Sequence, residues 1–117
     1  MKKILIIEDN AQYAAILSKK LTIEGYEVVR APDGEEGLKL VENDGISLIL
    51  LDLLMPKVDG IEFYHKLREK LKDNVPVIVL TNVAEATGYD PNLKDVLIKS
   101  NVSLEEVVKR VKAAIGD

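Results

Sequence analysis

Five short apolar runs recur along this chain, separated by longer segments whose apolar residues repeat every three or four positions. The runs cover residues 4–7, 28–31, 48–51, 77–80 and 96–98. Each is too short for a helix and mostly rich in β-branched residues. None shows the polar alternation of a half-solvated strand, so each reads as a strand buried on both faces. Between them, Ala14, Leu17 and Leu21 share one helical face, and Leu38 shares one with Val41. Tyr64, Leu67 and Leu71 line a third helix, and Leu104, Val107, Val108, Val111 and Ile115 a last one.

The punctuation agrees with this division. Asp33-Gly-Glu-Glu36 and Ser103-Leu-Glu-Glu106 each place a capping side chain three residues before a glutamate, the pattern of a helix start. Gly25, Gly45 and Gly116 sit where helices should stop. Strands that alternate with helices imply right-handed βαβ units and a parallel sheet between two helix layers. With 117 residues the chain suffices for one real core, so residues 1–117 are expected to form a single α/β domain.

In such sheets the ligand site lies beyond the carboxyl ends of the strands, near the topological switch point. The first strand ends in Glu8-Asp9, the third in Asp52, the fourth in Thr81 and the fifth in Lys99. Four strands of five are therefore expected to deliver polar groups to one edge. Asp52 stands inside the greasy stretch Leu48-Ile-Leu-Leu-Asp-Leu-Leu-Met-Pro56, where a lone ionised acid is costly unless paired, metal-bound or open to water. Convergence of Glu8, Asp9 and Asp52 calls for a cation, and hard oxygen ligands with room for water suit Mg2+. Lys99 adds positive charge at the same edge. A carboxylate beside a divalent ion, an ammonium and a hydroxyl is equipped to accept a phosphoryl group.

Composition narrows the alternatives. With 47% hydrophobic and 31% charged residues the chain is globular rather than disordered. It has no cysteine, which excludes thiol catalysis and cysteine-ligated metals and agrees with a cytoplasmic location. No stretch reaches the roughly 18 apolar residues of a membrane span, and none at the start makes a signal peptide. A net charge of −4 argues against direct nucleic-acid binding. The basic cluster Lys66, Arg68, Lys70 and Lys72 is interleaved with Glu69 and Asp73 and reads as a solvated helix edge.

The segments Ile-Glu8-Asp9-Asn, Leu-Leu-Asp52-Leu-Leu-Met-Pro56 with Asp59-Gly60 following, Val-Leu-Thr81 and Leu-Ile-Lys99 together resemble the receiver domain of bacterial two-component response regulators, the chemotaxis-type, CheY-like superfamily. The resemblance covers essentially the whole chain. It implies a flavodoxin-like five-stranded sheet of order 2-1-3-4-5. It also implies that Asp52 is the phosphoacceptor, supplied by a sensor histidine kinase or phosphotransfer protein. Asp9 and Asp52 would ligate Mg2+ together with the backbone carbonyl of Leu54, and Glu8 would act through a bound water. Thr81 and Lys99 would each bond a phosphoryl oxygen. The altered surface would then act on a downstream protein target or a fused effector. Intrinsic phosphotransfer and self-dephosphorylation are the only catalysis implied.

Departures from the family pattern begin after Thr81. Asn82 stands where receivers usually have a small residue, Val96 where many carry an aromatic switch, and Ser100 where a proline is typical. A non-proline cis bond costs about 2.5–4 kcal/mol, so the isomer of the Lys99-Ser100 bond is an open point. Gly88 and Pro91 interrupt the segment before the fifth strand, so the fourth helix is expected to be shortened or irregular, over about residues 83–87, with a loop through 89–92. These departures support a second reading, a receiver-like interaction module with little phosphorylation-dependent switching.

Other chemistries fit poorly. A haloacid-dehalogenase-type phosphatase wants a second acid two positions after its aspartate, where this chain has Leu54. Neither a flavin phosphate loop nor a Walker glycine loop follows the first strand, where Glu8-Asp9-Asn10-Ala11-Gln12 stands. Asn10 reads as a helix cap, Asp59 as a cap rather than a further ligand, and His65 as an exposed helix residue.

Overall fold

The computed structural model of the chain describes residues 2–42, 45–53, 60–71, 75–82 and 95–116. The first run forms β1 (Lys3–Ile7), followed by α1 (Ala11–Ile23), β2 (Glu27–Ala31) and α2 (Gly34–Val41). Next come β3 (Ile46–Leu51), α3 (Gly60–Lys70), β4 (Val77–Thr81) and β5 (Val96–Ile98). A 3-10 turn over Lys99–Asn101 then leads into α4 (Leu104–Ile115). All five runs form strands, and β1, β2 and β3 extend one or two residues further at their amino ends. Leu54, Pro56, Asp59 and Lys72, the short helix expected over residues 83–87 and the loop expected through 89–92 lie outside the described residues.

The strands form one parallel sheet of order β2-β1-β3-β4-β5, as expected. From β1 the chain steps to one side for β2 and returns past β1 for β3. The topological switch therefore lies between β1 and β3, and their last residues, Ile7 and Leu51, are level with each other.

The continuous apolar runs divide by period two between two cores. Ile4, Ile6, Leu48, Leu50, Ile78 and Leu80 pack with Leu17 and Leu21 of α1 and Val107, Val108 and Val111 of α4. Leu5, Ile7, Ile49, Leu51, Val77 and Val79 face Val41 of α2 and Phe63, Tyr64 and Leu67 of α3. Each fully buried leucine or isoleucine contributes about 1.5–3 kcal/mol, so strand positions are fixed from both sides.

The expected α2 face, Leu38 with Val41, packs against one core, and two glycines that the spacing did not single out share it. The buried side of α2 is Gly34, Gly37 and Val41, with Leu38 only half-buried against the core. The reason is steric. A Cβ on Gly37 would lie 2.8 Å from Ile7 Cδ1, and one on Gly34 would lie 2.8 Å from Phe63 Cε1. The two glycines let α2 seat against β1 and α3 at a distance that a leucine ridge would not permit.

The caps follow the sequence. Asn10, Asp33 and Ser103 cap α1, α2 and α4, and Ser103 with Glu106 forms the full reciprocal box. Gly116 ends α4 at φ 79°, a left-handed conformation that disfavours residues with a Cβ. No peptide bond among the described residues is cis, so Lys99-Ser100 is trans.

Candidate functional site

Where β1 and β3 end, one further ladder bond carries each strand into an acidic residue. The Glu8 N–H donates to Ala31 O at 3.0 Å, and the Asp52 N–H donates to Ile7 O at 3.1 Å. The chain then turns into α1 at Asn10, whose side chain accepts from the Tyr13 N–H at 3.0 Å. The Asn10 N–H donates to Glu8 Oε2 at 3.1 Å, so the helix cap and the orientation of the glutamate are set by the same residue.

The result is a cluster. Carboxylate oxygens of Glu8, Asp9 and Asp52 lie within 4.8 Å of one another, with Glu8 and Asp52 buried and Asp9 exposed. Lys99, at the start of the 3-10 turn, donates from Nζ to Glu8 Oε1 and to Asp52 Oδ2, the latter at 3.0 Å. Its ammonium also sits 4.5 Å from the ring centroid of Tyr13, a cation–π contact. Thr81 is fully buried at the end of β4 and pairs in register with Ile98, the residue before Lys99.

Burial, reinforced by the neighbouring Asp52 charge, raises the Glu8 carboxyl above the usual range, and one ammonium shared between two acids does not reverse this. Lys99 moves the other way energetically. Burial alone would lower its pKa, but hydrogen bonds to Glu8 and Asp52 and the attraction of both carboxylates raise it. The Tyr13 hydroxyl is likewise raised, first by burial.

Three ionised carboxylates against one ammonium would leave the cluster two charges negative, and its donors are all hard oxygens. That donor set fits a hard divalent cation such as Mg2+. Both Glu8 oxygens already accept hydrogen bonds, from Lys99 and from Asn10, while Asp9 presents an exposed carboxylate.

The structure brings together Glu8, Asp9, Asp52, Thr81 and Lys99 at one sheet edge, while Leu54 lies outside the described residues. Asn10 is a cap and His65 is exposed, with its ring edge-on to Tyr64 at 5.7 Å. Lys66 pairs with Glu62 and Lys70 with Glu42, as a solvated edge would.

Three contributors were not read from the sequence. Arg30, on β2, donates to the main-chain carbonyls of Glu8 and Asp9, so the second strand also brings a polar group to this edge. Its signal was visible as the one charged residue inside the run 28–31. Tyr13 had no signal beyond its place one turn into α1. Asn82 accepts from the Ser100 N–H at 3.1 Å, tying the end of β4 to the turn that carries Lys99. Ser100 stands where a proline was expected and would have had no N–H to give.

A family model described as "Response regulator receiver domain" matches residues 4–112. The chain is 38% identical over 118 residues to the alkaline phosphatase synthesis transcriptional regulatory protein PhoP of Bacillus subtilis, covering 97% of this chain and 48% of that protein. It is 36% identical over 118 residues to the probable transcriptional regulator ycf27 of Porphyridium aerugineum, covering 97% and 48%. The chain thus spans about half the length of the curated relatives it matches. Among solved structures it is similar to the response regulator TrrA of Thermotoga maritima in complex with Mg2+ and BeF, at 30% identity and a TM-score of 0.86 over 97% of this chain and 99% of that one. A structure of the histidine kinase ThkA in complex with TrrA matches at 31% identity and a TM-score of 0.83, over 98% and 99%.

Proposed function

Since the chain belongs to the family of response regulator receiver domains, we propose that it is a phosphoacceptor switch. In this reading Asp52 takes a phosphoryl group from the phosphohistidine of a sensor kinase or phosphotransfer protein. An Asp52 carboxylate oxygen attacks phosphorus, the P–O bond of an acyl phosphate forms, and the P–N bond breaks with its electron pair returning to the imidazole. Asp9 and Asp52 would hold Mg2+, with the Leu54 carbonyl as a further ligand and Glu8 acting through water. The ion supplies neutralisation of the carboxylates and of the charge that develops on the phosphoryl oxygens.

The protein's own groups do the rest. The ladder bond at Asp52 would hold the nucleophile at the switch point, where its side chain is buried. Lys99, held over Tyr13, is within reach of the nucleophilic carboxylate and can pass from Glu8 to a phosphoryl oxygen. Thr81, next to it across the β4–β5 pair, would donate to another. A histidine kinase as donor accords with the similar TrrA, which is bound by the histidine kinase ThkA. Residues 1–117 would act as one receiver unit, in the cytoplasm, on a downstream protein target or a fused effector, and the net charge of −4 favours neither nucleic acid nor an anionic membrane surface. No described helix is long and apolar enough to cross a membrane.

The observation that carries this reading is the convergence of Glu8, Asp9 and Asp52 with Lys99 at the sheet's carboxyl edge. Incubation with acetyl phosphate and Mg2+, followed by phosphate-affinity electrophoresis, should give a retarded band. The band should vanish with chelator and in Asp52→Asn. A band that persists in Asp52→Asn, or none at all from the native protein, would leave the interaction-module reading in its place.

A further inference from the structure

We propose that Arg30 is a positioning residue for the divalent-cation site, clamping the main chain of Glu8 and Asp9 so that both carboxylates stay turned toward Asp52. The inference rests on the reading of the acid cluster as a Mg2+ site. Its basis is a fork of three hydrogen bonds. Arg30 Nε donates to Glu8 O at 3.1 Å, and Nη2 donates to Glu8 O at 3.0 Å and to Asp9 O at 3.2 Å.

These carbonyls belong to a short stretch that nothing else in the sheet holds among the described residues. The last ladder bond from β1 to β2 is Glu8 N–H to Ala31 O, and α1 takes over only at its Asn10 cap. Between them, two peptide groups decide where the acid pair points. The Glu8 side chain has its own partners in Lys99 and Asn10, but among the described residues the exposed Asp9 carboxylate has no hydrogen bond. The aim of Asp9 is therefore set by its backbone, and Arg30 braces that backbone from the neighbouring strand. A planar guanidinium can span two successive carbonyls at once, which the point charge of a lysine cannot do as well.

Charge and position pull in opposite directions here, which makes the inference sharply testable. A fixed cation beside the site opposes a dication, so if charge alone mattered, deleting it would tighten Mg2+ binding. If Arg30 positions the ligands, deleting it should weaken binding by about tenfold, the usual scale for residues that orient metal ligands. The experiment is a Mg2+ titration of the whole chain, with no phosphodonor, followed by the amide NMR shifts of residues 8–10 and 52.

Arg30→Met should raise the Mg2+ dissociation constant about tenfold while the amide shifts of β3 and α4 stay in place. Arg30→Lys, the second variant, should also weaken binding, because it keeps the charge and loses the fork. Equal or tighter binding in Arg30→Met overturns the inference, as does full affinity in Arg30→Lys. Should the native protein itself fail to bind Mg2+, the site reading falls and Arg30 with it, an outcome distinguishable from the failure of Arg30 alone. Loss of the folded spectrum in Arg30→Met would shift the decision to Arg30→Lys.

Discussion

At the centre of the sheet, β1 pairs with β2 and β3 on its two sides and β3 with β1 and β4, whereas β5 is three residues long and, among the described residues, pairs only with β4. The two halves of the candidate site inherit this difference. Glu8 and Asp52 are each held by a backbone ladder bond that continues a strand buried on both faces. Lys99 leaves the edge strand in a 3-10 turn and owes its aim to side chains: two acids, the Tyr13 ring and the Asn82–Ser100 link. An acid side set by backbone pairing and a lysine side set by side-chain contacts respond differently to perturbation. Apart from the Glu8-Asp9 turn that Arg30 braces, the first should fail only when the fold does, and the second can shift while the fold stays intact.

The harshest way to break this comparison is to cut the packing under each half. Leu50, two residues before Asp52, is 1% exposed and lies on a central strand, while Leu97, two before Lys99, is 8% exposed on the edge. Leu50→Ala should cost about 3–5 kcal/mol and Leu97→Ala about 2 kcal/mol in urea unfolding, since the cost grows with the cavity that neighbours cannot fill. Equal losses would mean that the edge is as tightly determined as the centre.

The same contrast explains what was legible in the sequence. Strand positions and the acid trio follow from continuous apolar runs ending in charge, because such a run marks a strand buried on both faces and its charged end marks the sheet's carboxyl edge, whereas the sheet order came with the resemblance to receiver domains. The capping residues were equally plain, since a cap is a local bond within four residues. Contacts that depend on side chains meeting across elements were not. Nothing in a linear pattern says that Tyr13 will lie under Lys99, that Asn82 will accept from Ser100, or that Gly34 and Gly37 will sit directly against Phe63 and Ile7. Arg30 is the intermediate case, hidden because a run counted as apolar had one charge in it.

A milder probe removes the ammonium itself. Lys99 has a pKa raised above its ordinary 10.5, so its contribution is complete below that value and is lost as pH rises through the folded-state pKa. In chelator-treated protein, Lys99→Met should lower stability by about 1–3 kcal/mol, less than the full cost of breaking a sealed ion pair because Asp9 keeps the cluster open to water. The gap between native and variant proteins should hold steady through neutral pH and narrow only above 10.5. Urea midpoints taken from pH 7 upward check this. A gap that closes well below 10.5 would show that the lysine is not held by the two acids.

The smallest effect tests the lysine side most selectively. Asn82 Oδ1 and the Ser100 N–H form an exposed hydrogen bond between the end of β4 and the turn bearing Lys99. Removing the acceptor in Asn82→Ala should cost only about 0.5–1 kcal/mol, since water can replace it. Its local signature should be larger: the Ser100 amide should exchange with solvent faster while amides of β1 and β3 keep their protection. Asn82→Asp, which retains an acceptor oxygen at the same place, should restore Ser100 protection. If Asn82→Ala instead loosened Glu8 and Asp52 as much as Ser100, the two halves would be one cooperative unit, and the distinction between a backbone-set acid side and a side-chain-set lysine side would fail.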